Sequence, residues 1–315
     1  MCDTSKIGTV HGTSNLALLK VTTFTYKPTD TTMPWNKHIV RLKNAIRWLP
    51  LSTRCRFYTS SLGLSRLQRL RPEVINGQLE PVFIVGCGHS GTSLLCAVLD
   101  AHPKLAAIPH ENYQFWRVPD PEFATNYFEK RFQEIAKTGC RPLEKTPRHI
   151  YVLDQLMRLY PKCRIIFMVR DPRAVAVSIK TRIGNLNSGI RRWNSSNKAA
   201  VPFLECPQIY TLKFEDFVAA PRNQLQEICG HLNIPYDHGL EAHTSVQRQW
   251  YGSDQKTAGA HSKRRFKQIN TPIDSKLASK WMSQITAREV EKVDHDCAEL
   301  MKYFRYPKAV DHVEY

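Results

Sequence analysis

An α/β fold, with a parallel sheet flanked by helices on both faces in a single domain, is what this chain predicts, on three observations. Short apolar runs at Pro81–Val85, Cys163–Val169 and Gln208–Lys213 read as strands. Ile150, Leu153, Leu156 and Met157, and later Leu225, Ile228 and Leu232, recur at helical spacing. The first strand runs into Gly86-Cys-Gly-His-Ser-Gly-Thr-Ser93, a glycine-rich turn that opens an amphipathic helix. Strands alternating with helices argue for a parallel sheet covered on both sides.

Residues 1–79 precede the first strand as a basic extension. Residues 1–72 hold twelve Lys or Arg against Asp3 and Asp30, a net of +10 of the chain's +17, which leaves +7 for the remainder. Ile39, Leu42, Ile46 and Leu49 recur at helical spacing among Lys37, Arg41, Lys43 and Arg47. Such a basic amphipathic helix suits peripheral membrane contact, or docking on a protein or on the chain's own core. No run of 18 apolar residues exists and Met1-Cys-Asp-Thr-Ser-Lys6 lacks a secretory core. A cytoplasmic location is therefore expected, with organelle targeting through the Arg-rich, acid-poor N-terminus as the alternative. Nine scattered cysteines, with no Cys-x-x-Cys pair and no zinc spacing, read as reduced intracellular usage. Cys96 and Cys163 fall in apolar runs and are expected in the core, whereas Cys87, in the loop, is open to alkylation.

The loop itself is built to approach an anion. Gly86, Gly88 and Gly91 let the backbone turn tightly, and free N–H groups at the helix start attract negative charge. Thr92 and Ser93 would cap that helix or bond phosphate oxygens. The spacing from Gly86 to Gly91 fits the first half of a P-loop, so the sheet is expected to be P-loop-like; the pattern then requires Lys, and Thr92 stands there. Without that Lys, ATP hydrolysis is disfavoured. Downstream, Arg170 would stand at the carboxyl end of a buried strand, and Pro172 suits a first helical turn. Ser178 and Arg182 would lie one turn apart on the same face, able to grip a second phosphate.

At this point the motifs carry a resemblance. Residues 86–93 are similar to the 5′-phosphosulfate loop, and Arg170-Asp-Pro-Arg-(x)4-Ser178 to the 3′-phosphate motif, of sulfotransferases that use 3′-phosphoadenosine 5′-phosphosulfate (PAPS). Leu99-Asp-Ala-His-Pro103, Glu144-Lys-Thr-Pro147, Leu212-Lys-Phe-Glu-Asp-Phe217, Thr271-Pro-Ile273 and Ser279-Lys-Trp281 follow in family order. The chain most resembles the tyrosylprotein sulfotransferase branch and its soluble relatives. The similarity spans about residues 80–305, the implied catalytic domain, leaving 306–315 as a tail.

The resemblance implies that Gly88, Ser90, Gly91, Thr92 and Ser93 hold the 5′-phosphosulfate while Arg170, Ser178 and Arg182 hold the 3′-phosphate. His89 stands where Lys or Arg is usual, and carries charge only if its pKa is favourable. Lys145 would neutralise the leaving oxygen. Glu111 is the favoured general base, with His110 the alternative. Within the basic loop Ser262–Gln268, placed over the nucleotide, Arg265 falls where the family has serine; Lys280 falls on the family's 5′-phosphate lysine. Phe214 replaces a frequent tyrosine, keeping the ring and losing the hydroxyl.

The reaction implied is sulfuryl transfer from PAPS to a hydroxyl, less readily an amine, releasing adenosine 3′,5′-bisphosphate. It calls for no metal and no nucleic acid. A P-loop kinase-like phosphotransferase and a non-catalytic PAPS-binding interaction protein are the alternatives. The acceptor, whether glycan, tyrosyl peptide or small molecule, is not written in the sequence. The expected acceptor loops, Pro109–Pro121 and Gly184–Pro202, carry no motif, although Tyr113, Trp116 and Trp193 could stack a ring.

Overall fold

The computed structural model describes residues 78–108, 111, 121–246 and 260–308 of the 315-residue chain. The amphipathic stretch Ile39–Leu49, His110, Tyr113 and Trp116 lie outside these residues. Five strands, β1 (Val82–Gly86), β2 (Leu105–Ala107), β3 (Arg141–Lys145), β4 (Arg164–Val169) and β5 (Ile209–Lys213), form one parallel sheet in the order β2-β3-β1-β4-β5. The helices that cover it are α1 (Thr92–Leu99), α2 (Pro121–Ala136), α3 (Leu153–Leu159), α4 (Pro172–Ile183), α5 (Leu186–Ala200), α6 (Phe214–Ala219) and α7 (Pro221–Leu232). They are followed by α8 (Ala260–Ile269), α9 (Lys276–Ser279), α10 (Ala287–Asp296) and α11 (Ala298–Tyr303). Among the described residues no helix is long and apolar enough to cross a membrane.

The apolar strands alternate between two cores. Phe83, Val85, Ile165, Phe167 and Val169 pack with Phe128 and Phe132 of α2, Leu156 of α3, Val175 of α4 and Trp193 of α5. Val82, Ile84, Ile166 and Met168 face the other way, onto Leu95 and Leu99 of α1 and Leu225 and Ile228 of α7. Successive side chains on a strand point to opposite faces, so an apolar run with no polar alternation needs helices on both. Each such side chain, fully buried, contributes about 1.5–3 kcal/mol.

The strands read from the sequence stand where they were expected. β2 and β3 carried no such signal: β3 is Arg-Pro-Leu-Glu-Lys, whose Glu144 and Lys145 are buried among polar partners. The helix predicted from Ile150 starts as a 3-10 helix, Pro147–Val152, and becomes α-helical at Leu153.

Two segments expected as loops are helices. Gly184–Pro202 contains α5, opened by Asn185, whose side chain accepts from the Ser188 amide. Ser262–Gln268 lies within α8, where a run rich in Lys, Arg and Gln and without Gly or Pro favours helix.

Candidate active site

The site forms at the carboxyl ends of β1, β3 and β4, where a parallel sheet with strands leaving in both directions opens a crevice. The loop after β1 is held by its glycines. Gly86 (φ 154°) has no room for a Cβ against the Met168 carbonyl oxygen, and Gly91 (φ 95°) none against the Phe214 ring. Gly88 is different: its φ is not left-handed, and a Cβ there would meet only Arg192 Nη1, at 4.0 Å. The cap of α1 is Gly91 itself, with no side-chain cap, so Thr92 and Ser93 do not cap the helix as expected. Thr92 is buried and Ser93 half-buried.

The loop and the segment after β4 are tied together. His89, at φ 78°, shares a 2.8 Å hydrogen bond between its Nδ1 and Ser178 Oγ of α4. Arg170 donates to the His89 carbonyl (3.3 Å) and to the Leu277 carbonyl of α9 (2.8 Å), and its guanidinium lies 4.1 Å over the Phe214 ring. Burial pulls the Arg170 pKa down, opposed by the carboxylates of Glu215 and Asp171. Glu215 accepts from the Asp171 amide (3.0 Å) and from Tyr306 Oη (2.9 Å), and burial pushes its own pKa up. Asp171 caps α4 and grips Arg173 Nη2 at 2.7 Å, while Trp193 Nε1 donates to the Arg170 carbonyl at 2.7 Å. Trp193 is thus a core anchor, not a ring offered to an acceptor.

On the other side of β1, Lys145 ends β3 and its Nζ donates to Glu111 Oε1 at 2.6 Å, with 1% and 12% side-chain exposure. A proton acceptor and a cation thus share one spot. Behind them Glu144 is wholly buried, accepting from Thr146 Oγ1 (2.5 Å) and bonded to His149 Nδ1 (2.9 Å). These bonds account for a carboxylate inside a strand that otherwise reads as too polar for the core.

The remaining expected residues lie at the edge. Arg182 is exposed in the last turn of α4. Lys280 is exposed immediately after α9, one turn beyond the Leu277 carbonyl that holds Arg170. Arg265 is placed on α8, but its side chain lies outside the described residues. Cys87 is fully buried, bonded to Ser196 and pushed up to about 12 by burial, so it is not the alkylatable thiol its loop position suggested. Sequence reasoning missed Arg192, Glu215 and Tyr306. Only Glu215 had a signal, inside the Leu212–Phe217 motif.

Two polar atoms in the cradle have no partner though buried: Ser90 Oγ and Arg170 Nε. Buried donors without partners are rare in a native fold, and a loop hydroxyl and a guanidinium nitrogen left so fit phosphate or sulfate oxygens.

Known proteins give the site a context. A model described as Sulfotransferase family matches residues 108–238. Protein-tyrosine sulfotransferase A of Caenorhabditis elegans is 23% identical over 274 residues, covering 74% of this chain and 70% of that protein. Protein-tyrosine sulfotransferase 1 of Danio rerio is 23% identical over 250 residues, covering 68% and 69%. The fold resembles that of a sulfotransferase domain from the Synechococcus olefin synthase, at TM-score 0.55 and 22% identity, covering 74% of this chain and 98% of that one.

Proposed function

We propose, from the premise that this chain belongs to the sulfotransferase family, that it moves a sulfuryl group from PAPS to an acceptor hydroxyl, with Glu111 as general base and Lys145 as the cation at the leaving oxygen. PAPS, when bound, supplies the activated sulfuryl group. Ser90, Gly91, Thr92 and Ser93 hold its 5′ end through the loop and the start of α1, and Arg170 with Ser178 holds the 3′-phosphate, with Arg182, one turn on from Ser178, as the further cation. Glu111 takes the acceptor's proton, and Lys145, whose Nζ lies 2.6 Å from it, steadies the carboxylate until it does so. Lys145 then faces the charge that develops on the departing phosphate. The relatives named as protein-tyrosine sulfotransferases make a tyrosyl peptide the first acceptor to test.

The observation that carries this reading is the pair of buried, unpartnered cradle atoms, Ser90 Oγ and Arg170 Nε. The experiment is calorimetry with PAPS and with adenosine 5′-phosphosulfate, which lacks the 3′-phosphate, followed by transfer of labelled sulfate to tyrosyl, glycan and small phenolic acceptors. PAPS should bind roughly ten- to a hundredfold more tightly, the worth of a charge-assisted contact. Equal binding of the two nucleotides removes the 3′-phosphate assignment, and tight binding with no transfer to any acceptor class leaves only a binding protein.

A further inference from the structure

From Gly86 to Ser93 the loop contains no Lys or Arg, and Thr92 occupies the position where a P-loop carries its lysine. An anion held by backbone dipoles and hydroxyls still favours a neighbouring cation. His89 is turned to the Ser178 side, and Lys145 is engaged by Glu111.

Arg170 touches the loop through the His89 carbonyl, and a further cation stands beside it. Arg192, on α5, brings Nη1 to 4.0 Å from where a Gly88 Cβ would stand. It is half-buried, and its guanidinium makes no hydrogen bond or ion pair among the described residues. Its helix is fastened just beyond it: Trp193 donates to the Arg170 carbonyl, and Ser196, one turn on, bonds Cys87 at the start of the loop. The core therefore sets the place of α5 from which the Arg192 side chain extends to the loop. Gly88 needs no left-handed backbone, so its missing side chain has another use: it leaves Arg192 an open line to the loop.

We propose that Arg192 supplies, from α5, the cation for the 5′ anionic group of the nucleotide that the loop itself lacks. This rests on the nucleotide reading given above, and the test separates the two. Binding of adenosine 3′,5′-bisphosphate and of adenosine 3′-monophosphate is measured by calorimetry for the full chain and for Arg192→Gln, Arg192→Lys and Arg170→Gln, each checked by thermal melting. Arg192→Gln should weaken the bisphosphate roughly ten- to a hundredfold and leave the 3′-monophosphate within about twofold. Arg192→Lys should recover part of the loss, because it restores charge without the planar fork. Arg170→Gln should weaken both ligands.

If Arg192→Gln leaves the bisphosphate unchanged, or weakens both ligands equally, the assignment is wrong. Should Arg192→Gln fail to fold, Arg192→Lys decides: bisphosphate affinity lost as completely as 3′-monophosphate affinity overturns the proposal. Bisphosphate selectively weakened, with the monophosphate kept, supports it. A wild-type chain that binds neither ligand overturns the nucleotide reading and this inference with it, whereas binding that ignores Arg192 overturns only the latter.

Discussion

Lys145 and Glu111 are held 2.6 Å apart, so neither can be changed without altering the charge of the other's surroundings. Glu111→Gln keeps the shape and the hydrogen bond while removing the proton acceptor. It should lower turnover about 10²- to 10⁴-fold and leave nucleotide affinity within a few fold, read by single-turnover sulfate transfer beside calorimetry. Full activity in Glu111→Gln would move the base elsewhere, to His110 first. Lys145 and Arg170 were legible in the sequence because each sits in a short motif beside proline. Arg192 was not, since a lone arginine beside a tryptophan on a helix carries no spacing signal. Its place depends on how α5 packs, which no local pattern encodes. Cys87 was misjudged for the same reason. The loop position suggested access, while the side chain points into the core formed with α5. Iodoacetamide at neutral pH, followed by peptide mass spectrometry, should label the half-buried Cys140 and Cys206 and spare Cys87, Cys96 and Cys163.

The strand, loop and helix around Gly86–Ser93 form the element that sets the anion cradle, and its glycines are not equivalent. Gly86→Ala meets a backbone carbonyl that cannot rotate away, whereas Gly88→Ala meets only the end of the Arg192 side chain at ordinary contact distance and needs no left-handed φ. Denaturant unfolding should show a loss of about 2 kcal/mol or more for Gly86→Ala and less than about 1 kcal/mol for Gly88→Ala. Similar losses would show that the loop relaxes freely. Apolar runs disclosed β1, β4 and β5, and Asp171-Pro172 disclosed the start of α4. β3 stayed hidden because its polar side chains are bonded to Thr146, His149 and Glu111, partners that meet it only in the folded chain. α5 and α8 were taken for loops because their polar faces gave a weak apolar repeat, although the Asn185 cap was a readable start signal.

At the scale of the whole molecule, the buried thiols give stability a definite alkaline limit. Burial pushes Cys87, Cys163 and Cys297 up to about 12 from the ordinary value of 9. Above pH 9 the unfolded chain gives up these protons while the native one retains them, so stability is complete below pH 9 and falls as pH rises toward 12. Each of the three thiols should cost about 1.4 kcal/mol per pH unit across that window. Urea unfolding between pH 8 and 11 measures it, and Cys163→Ala should flatten the slope by one thiol's share. A flat profile in the wild type would mean that the thiols ionise without penalty in the fold.

The sheet order has a consequence in time. β1 is central, yet its two neighbours are β3 and β4, with pairings such as Val82↔Leu143 and Phe83↔Ile165. A ribosome therefore delivers the middle strand long before either flank exists, and closing those long loops must precede any gain from the ladder. Both edges of an apolar strand stay unpaired through that interval, a state open to association with other chains. Refolding from denaturant should accordingly be slow for the chain's size and lose yield as concentration rises. Fragments that end before Arg164 should collect in aggregates, because one flank of β1 never arrives.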